Sequence, residues 1–136
     1  MKVLADTDVW SEALRKKKGT KSGYVLELVD LIQEGRIEMI GPIRMEILSG
    51  IREMNTFEAF SEKLSAFPDR PMGSSIYVMA ARFYNICRSK GIQGSNTDFQ
   101  ICACSVEWNI PILSKDKDYE LYKKFIPIDL IKPRKK

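Results

Sequence analysis

The sequence predicts an α/β domain built on a central, mainly parallel sheet of about four to five strands flanked by helices. Three observations carry this expectation. Four short apolar runs, at residues 3–5, 37–40, 110–113 and 126–131, are bounded by polar or turn-forming residues, as buried parallel strands are. Every pair of these runs is separated by segments with apolar residues at helical spacing, so the order along the chain is βααβααααβαβ. The length, 136 residues, suits one domain that buries a core without staples.

Residues 3–5 form the first strand, expected at the centre of the sheet, with Asp6 at its carboxyl end and a helix over 9–14 behind it. Residues 15–23 are a basic connection, rich in Lys and Gly, of the kind that more often solvates a surface than binds a ligand. A helix follows over 24–33, with Val25, Leu28, Val29 and Ile32 inward and Gly35 as its stop. After the strand at 37–40, Gly41-Pro42 opens a helix that buries Ile43, Ile47, Leu48 and Ile51, with Glu46 at the edge of that face. Asn55 or Thr56 caps the next helix, whose Phe57, Phe60, Leu64 and Phe67 are spaced for packing, and Pro68 to Pro71 breaks the chain. The long helix over 74–90 turns Ile76, Ala80, Phe83 and Cys87 inward and ends at Gly91. A short helix over 119–125 and a strand over 126–131 close the domain, taken as residues 1–132. Residues 133–136 read as a basic, disordered tail.

Composition removes whole classes of chemistry. The chain has no histidine, which excludes Ser-His-Asp triads, Cys-His pairs, histidine zinc sites and histidine nucleases together. Three cysteines, an odd number, argue against a disulfide framework. Cys102 and Cys104, two apart on a helix, point to different faces and read as core thiols rather than metal ligands. No apolar run approaches ~18 residues and no leader pattern opens the chain, so a cytoplasmic protein is expected, away from membranes. The net charge of +4 is modest for a nucleic-acid binder, but outer lysines and arginines can hold phosphates while inner acids hold a cation.

The informative stretch runs from residue 94 to 118. Asn96 or Thr97 caps a helix whose first turn holds Asp98, where a negative charge is favoured. Ile101, Cys102, Ser105, Val106 and Trp108 give that helix a mostly apolar face, and Asn109 with Pro111 ends it. Asp116 lies just past the strand at 110–113, at the sheet edge where ligands bind in open α/β folds. Asp6, Glu46, Asp98 and Asp116 thus all lie near a strand end or a helix start. Carboxylates ~4 Å apart repel by ~1 kcal/mol per pair in water and ~4 kcal/mol at an effective dielectric of ~20. Raised pKa values or a cation make such a cluster tolerable, and an all-oxygen site suits Mg²⁺ or Mn²⁺. The blander reading of the same residues is four separate caps and surface acids.

Four segments together resemble the motifs of the PIN-domain family, specifically its VapC-type toxin ribonucleases. Val3-Leu4-Ala5-Asp6-Thr7-Asp8-Val9-Trp10 resembles the family's opening strand, and Pro42-Ile43-Arg44-Met45-Glu46-Ile47-Leu48-Ser49-Gly50 its second motif. Gly91 followed by Thr97-Asp98-Phe99-Gln100-Ile101-Cys102-Ala103-Cys104-Ser105 resembles the third. Ile112-Leu113-Ser114-Lys115-Asp116-Lys117-Asp118-Tyr119 resembles the fourth. The resemblance spans nearly the whole chain in order and spacing. It implies a metal-dependent endoribonuclease of single-stranded RNA, inhibited by a small antitoxin and usually homodimeric. It also implies that Asp6, Glu46, Asp98 and Asp116 surround the Mg²⁺ or Mn²⁺, with Thr7 and Ser114 as supporting hydroxyls. Asp8, Ser114 and Tyr119 depart from the usual small polar residue, Thr and Phe. Whether Asp8 ligates, and whether Asp116 or Asp118 faces the metal, stays open.

Two other readings stand beside it. Asp6-Thr7-Asp8-Val9 imitates the Asp-x-Asp nucleophile of haloacid-dehalogenase phosphatases, with a covalent phospho-Asp6 and Asp8 as acid. Trp10 and the missing Gly-Asp before Asp116 count against that. A catalytically inactive PIN-like module that binds RNA or a partner is the other, and the presence of all four acids opposes it.

Overall fold

In the computed structural model, residues 1–15 and 22–134 are described. β1 (Val3–Ala5) is wholly buried and lies inside a four-stranded sheet of order β2-β1-β3-β4, where β2 is Ile37–Glu38, β3 Ile112–Leu113 and β4 Leu130–Ile131. All three pairings are parallel, with Val3 opposite Ile37, Leu4 opposite Ile112, and Ile112 opposite Leu130. Because β1 has β2 on one side and β3 on the other, the winding reverses direction between β1 and β3. The crevice at their carboxyl ends is where this sheet can admit a ligand.

Among the described residues seven helices cover the sheet in the expected order: α1 (Thr7–Leu14), α2 (Gly23–Gln33), α3 (Gly41–Leu48), α4 (Met54–Leu64), α5 (Ser74–Ser89), α6 (Asn96–Trp108) and α7 (Asp118–Lys123). Ile76, Ala80, Phe83 and Cys87 of α5 face inward as their spacing predicts, and Gly91 ends the chain's turn at φ +77°, a conformation glycine adopts freely. α6 is buried from Ile101 through Ser105, so Cys102 and Cys104 are both buried although two residues apart. Over that stretch the helix is enclosed on more than one side, so both thiols lie away from solvent. Full burial of a side chain such as Ile101 contributes about 1.5–3 kcal/mol. Asn109 ends α6 in the left-handed region at φ 53°, and Pro111 follows.

Several boundaries differ from the sequence expectation. The caps are Ser95 for α6 and Glu53 for α4, rather than Asn96 or Thr97 and Asn55 or Thr56. The strands are shorter than the apolar runs. Met39 makes only a bridge to Asp69, while Ile110, Ile126 and Ile128 are buried outside any strand. In α2 the buried face is Val25, Leu28 and Leu31, whereas Val29 is exposed and Glu27 is buried.

Glu27 explains the largest correction at the chain's end. Arg134, expected in a disordered tail, donates from Nε to Glu27 at 2.8 Å and from Nη2 to Glu34 at 2.9 Å. A carboxylate only 3% exposed needs such a partner, and this one fixes Arg134 against α2. Residues 135–136, and most of the basic connection expected at 15–23, lie outside the described residues. No helix among the described residues is long and apolar enough to cross a membrane.

Candidate active site

Asp6 follows β1 directly, and backbone pairing carries it to the crevice, where its N–H donates to the Leu113 carbonyl at 2.8 Å. Its side chain is 5% exposed. One carboxylate oxygen accepts from the Thr7 N–H at 2.8 Å, capping α1, and the other accepts from Ser114 Oγ at 2.8 Å. Burial pushes the Asp6 carboxyl up to about 7, and the charges of Asp8 and Asp98 add to that. The hydrogen bonds from Ser114 and Thr7 oppose it without cancelling it. Asp6 is thus the N-cap of α1, as the blander reading has it. A capping role alone leaves no reason to bury a carboxylate among other acids.

Ser114 ties the two strand ends together, since its hydroxyl also accepts from the Asp116 N–H at 3.0 Å. Asp116 Oδ1 in turn accepts from the Asp118 N–H at 2.9 Å, a local turn that begins α7. Asp8 stands on the first turn of α1. Its Oδ2 accepts from the Lys115 N–H at 3.2 Å, while Oδ1 is buried with no partner. Thr7 Oγ1 beside it is buried and unpartnered as well. Burial raises the Asp8 pKa, and the Val9 N–H and then Lys115 pull it back. Lys115 Nζ is itself engaged by Glu12 at 2.8 Å.

Asp98 comes from the opposite side, on the first turn of α6, whose cap is secured by its own N–H donating to Ser95 Oγ at 3.0 Å. The Tyr122 hydroxyl donates to Asp98 Oδ2 at 2.6 Å and the Tyr119 hydroxyl to Oδ1 at 3.4 Å. Burial raises the Asp98 pKa, the bond from Tyr122 lowers it, and the charges of Asp116 and Glu46 raise it further. Glu46 is half-buried on α3. Asp118 is raised by slight burial and by Asp116 and Asp98.

All the acids singled out in the sequence therefore share one electrostatic neighbourhood, in which Asp98 feels Asp116 and Glu46 and is in turn felt by Asp6. Among the described residues no three carboxylates or thiols stand close enough to enclose a metal ion by themselves. The donor chemistry still fits a hard cation. Every available donor is oxygen, one buried carboxylate oxygen and one buried hydroxyl lack partners, and Mg²⁺ takes only one or two carboxylates with waters completing its shell. The two tyrosine hydroxyls were not anticipated from sequence as functional groups. Tyr119 and Tyr122, three residues apart on a helix that packs inward, were the available signal, because a buried phenol must place its hydroxyl on a partner.

No protein-family model matches the chain. Among curated proteins it is 31% identical over 123 residues to VapC ribonuclease Mb1587 of Mycobacterium bovis and equally to Ribonuclease VapC11 of Mycobacterium tuberculosis. Each alignment covers 88% of this chain and 90% of the relative. The chain belongs to the VapC ribonuclease family. Solved structures with the same fold include FitAcB from Neisseria gonorrhoeae, with a TM-score of 0.75 and 17% identity over 98% of this chain and 99% of that one. VapBC2 from Rickettsia felis, bound to a DNA fragment from its promoter, aligns with a TM-score of 0.76 at 15% identity, covering 96% and 98%. In this VapC-family chain the crevice between β1 and β3 is thus the candidate active site, and the expected α/β architecture with its parallel four-stranded sheet is the VapC fold.

Proposed function

We propose that this chain is the toxin of a toxin–antitoxin pair, a Mg²⁺- or Mn²⁺-dependent endoribonuclease that hydrolyses phosphodiester bonds of single-stranded RNA. The observation that carries this is the acid cluster at the strand-switch crevice of a VapC-family chain, with Asp6 buried and its carboxyl raised to about 7. Perturbed carboxylates in a cleft are what phosphoryl chemistry with a hard cation calls for. Asp6, Glu46, Asp98 and Asp116 would surround the ion, one or two as direct ligands and the others through its waters. Thr7 Oγ1 and Asp8 Oδ1, both buried without partners, favour a supporting or direct role for those residues. Asp116 is favoured over Asp118 because its charge reaches Asp8, Asp98 and Asp118 alike. A bound divalent ion would supply charge neutralisation on the phosphate and a more acidic attacking water. The chain's own part is to fix the carboxylates: Ser114 bridges Asp6 and the Asp116 backbone, and Lys115 holds Asp8.

Incubating the protein with single-stranded RNA and, separately, with a small phosphate monoester tests this directly. RNA cleavage is expected in Mg²⁺ or Mn²⁺ and none in excess EDTA, with no phosphate released from the ester. Cleavage that persists in EDTA would overturn the metal dependence. Ester hydrolysis would favour the phosphatase reading, and binding of RNA without cutting would favour the inactive module.

Partners follow from the same reading: an RNA substrate, a small cognate antitoxin and a second copy of the chain. The names of the structural relatives, VapBC2 and FitAcB, support an antitoxin. Phe57 and Phe60 are only partly buried, and Met54, Tyr77 and Val78 are exposed, which leaves apolar surface for these contacts. Light scattering at micromolar concentration is expected to give the mass of a dimer. A monomer mass that stays constant as concentration rises removes the homodimer.

A further inference from the structure

We propose that Tyr122, seated against Gly94, is a positioning residue of the active site that holds the Asp98 carboxylate in the orientation needed to take a hard divalent cation. This rests on the metal-site reading of Asp98 above. An aspartate χ2 is broad and poorly defined by itself, so a carboxylate on a first helical turn needs outside contacts to face one way. Tyr122 supplies such a contact at 2.6 Å, the length of a strong hydrogen bond to a charged acceptor. Tyr119, at 3.4 Å, steadies the other oxygen more weakly. The Ser95 side chain also favours the charged form of Asp98, from the helix cap.

The hydroxyl of Tyr122 cannot drift. Its ring is 0% exposed and sits 4.9 Å from Phe99 and 5.3 Å, edge-on, from Tyr119, with Tyr84 packed on the far side of Phe99 at 5.7 Å. The loop before α6 closes the remaining direction. A Cβ on Gly94 would lie 2.4 Å from the Tyr122 hydroxyl and 2.9 Å from both Phe99 Cε2 and Tyr122 Cζ. Gly94 is required for space rather than for an unusual backbone angle: any side chain there must push the phenol off Asp98 or lift the loop. Packing by itself does not explain the hydroxyl. A phenylalanine would fill the same volume, and a phenol buried without a partner costs about 1–3 kcal/mol. The partner that stabilises this oxygen is the carboxylate it orients.

Loss of an outer hydrogen bond to a ligand carboxylate typically weakens metal binding about 10–100-fold. Mn²⁺ binding by the full chain, read by calorimetry or electron paramagnetic resonance, separates the possibilities. Tyr122→Phe is expected to weaken Mn²⁺ by about tenfold or more, with little change in melting temperature. Its RNA cleavage should recover most of the wild-type kcat at saturating Mn²⁺, because the carboxylates themselves remain. Gly94→Ala, which keeps the hydroxyl but displaces it, should shift Mn²⁺ affinity in the same direction. Should Gly94→Ala fail to fold, Tyr122→Phe decides alone. Wild-type Mn²⁺ affinity in Tyr122→Phe, alongside weak binding by Asp98→Asn, would overturn the positioning role and leave the metal site standing. Wild-type affinity in Asp98→Asn would remove the metal reading of Asp98, and this inference with it.

Discussion

Asp98→Asn is expected to cut RNA cleavage on the order of a thousandfold while the protein stays folded. The substitution keeps the size of the side chain and one carbonyl oxygen to accept from Tyr122. The cap of α6 is untouched, because it runs from Ser95 Oγ to the backbone N–H of residue 98. What disappears is the charge, and with it the cost of holding a half-buried carboxylate near Asp116 and Glu46. The metal-free melting temperature should therefore stay level or rise slightly. RNA affinity measured by fluorescence anisotropy in EDTA should hold, since lysines and arginines away from the crevice carry it. An unfolded mutant, or one that cuts RNA at the normal rate, would make Asp98 a structural cap and remove it from the active site.

The order of elements was legible because each strand and helix here declares itself by local pattern. Val3 to Ala5 is apolar without interruption because both its faces are covered, and Ile76, Ala80, Phe83 and Cys87 keep helical spacing because α5 has one buried side. In α2 a long-range partner overrides local preference. Val29 and Glu27 exchange the places their chemistry suggests because Arg134, more than a hundred residues away, neutralises Glu27. The strands stop short of the apolar runs because burial of Ile126 and Ile128 needs no pairing partner.

The candidate active site divides in the same way. Its acids were singled out because the four segments that hold them resemble one family's motifs in order and spacing. Position near strand ends and helix starts fits caps and surface acids equally well. Their supporting contacts carry no such signal. Ser114 bridging to Asp6 spans 108 residues, and Lys115 bridging to Asp8 spans 107. The demand for glycine at 94 exists because Phe99 and, from 28 positions further on, Tyr122 pack against it. A sequence carries the identities of such pairs but not the distance that joins them.

Asp6→Asn should lower cleavage at least as much as Asp98→Asn, and it should also alter how the metal-free protein responds to pH. Asp6 has a folded pKa of about 7 against 3.8 for the free side chain, so the folded state holds its proton more tightly than the unfolded state does. The stability linked to that proton is complete below 3.8 and is lost as pH rises through 7. Asp8, Asp98 and Asp118 are also raised and act in the same direction. The lowered carboxylates, Glu12, Glu34 and Glu53, lose their contribution only below 4.5, outside the window from pH 5 to 7.5. Metal-free wild-type protein is therefore expected to melt higher at pH 5 than at pH 7.5, the Asp6 share across that window being at most about 2.5 kcal/mol. In Asp6→Asn the side chain is neutral throughout, so the melting temperature at pH 7.5 should rise by several degrees and its pH dependence should shrink. Mg²⁺ competes with the same proton and should stabilise the wild type more at pH 7.5 than at pH 5. A melting temperature that is flat, or that falls, as metal-free wild-type protein is taken from pH 7.5 to 5 would show that Asp6 is not held as an unwilling anion, and the electrostatic basis of the site would fail.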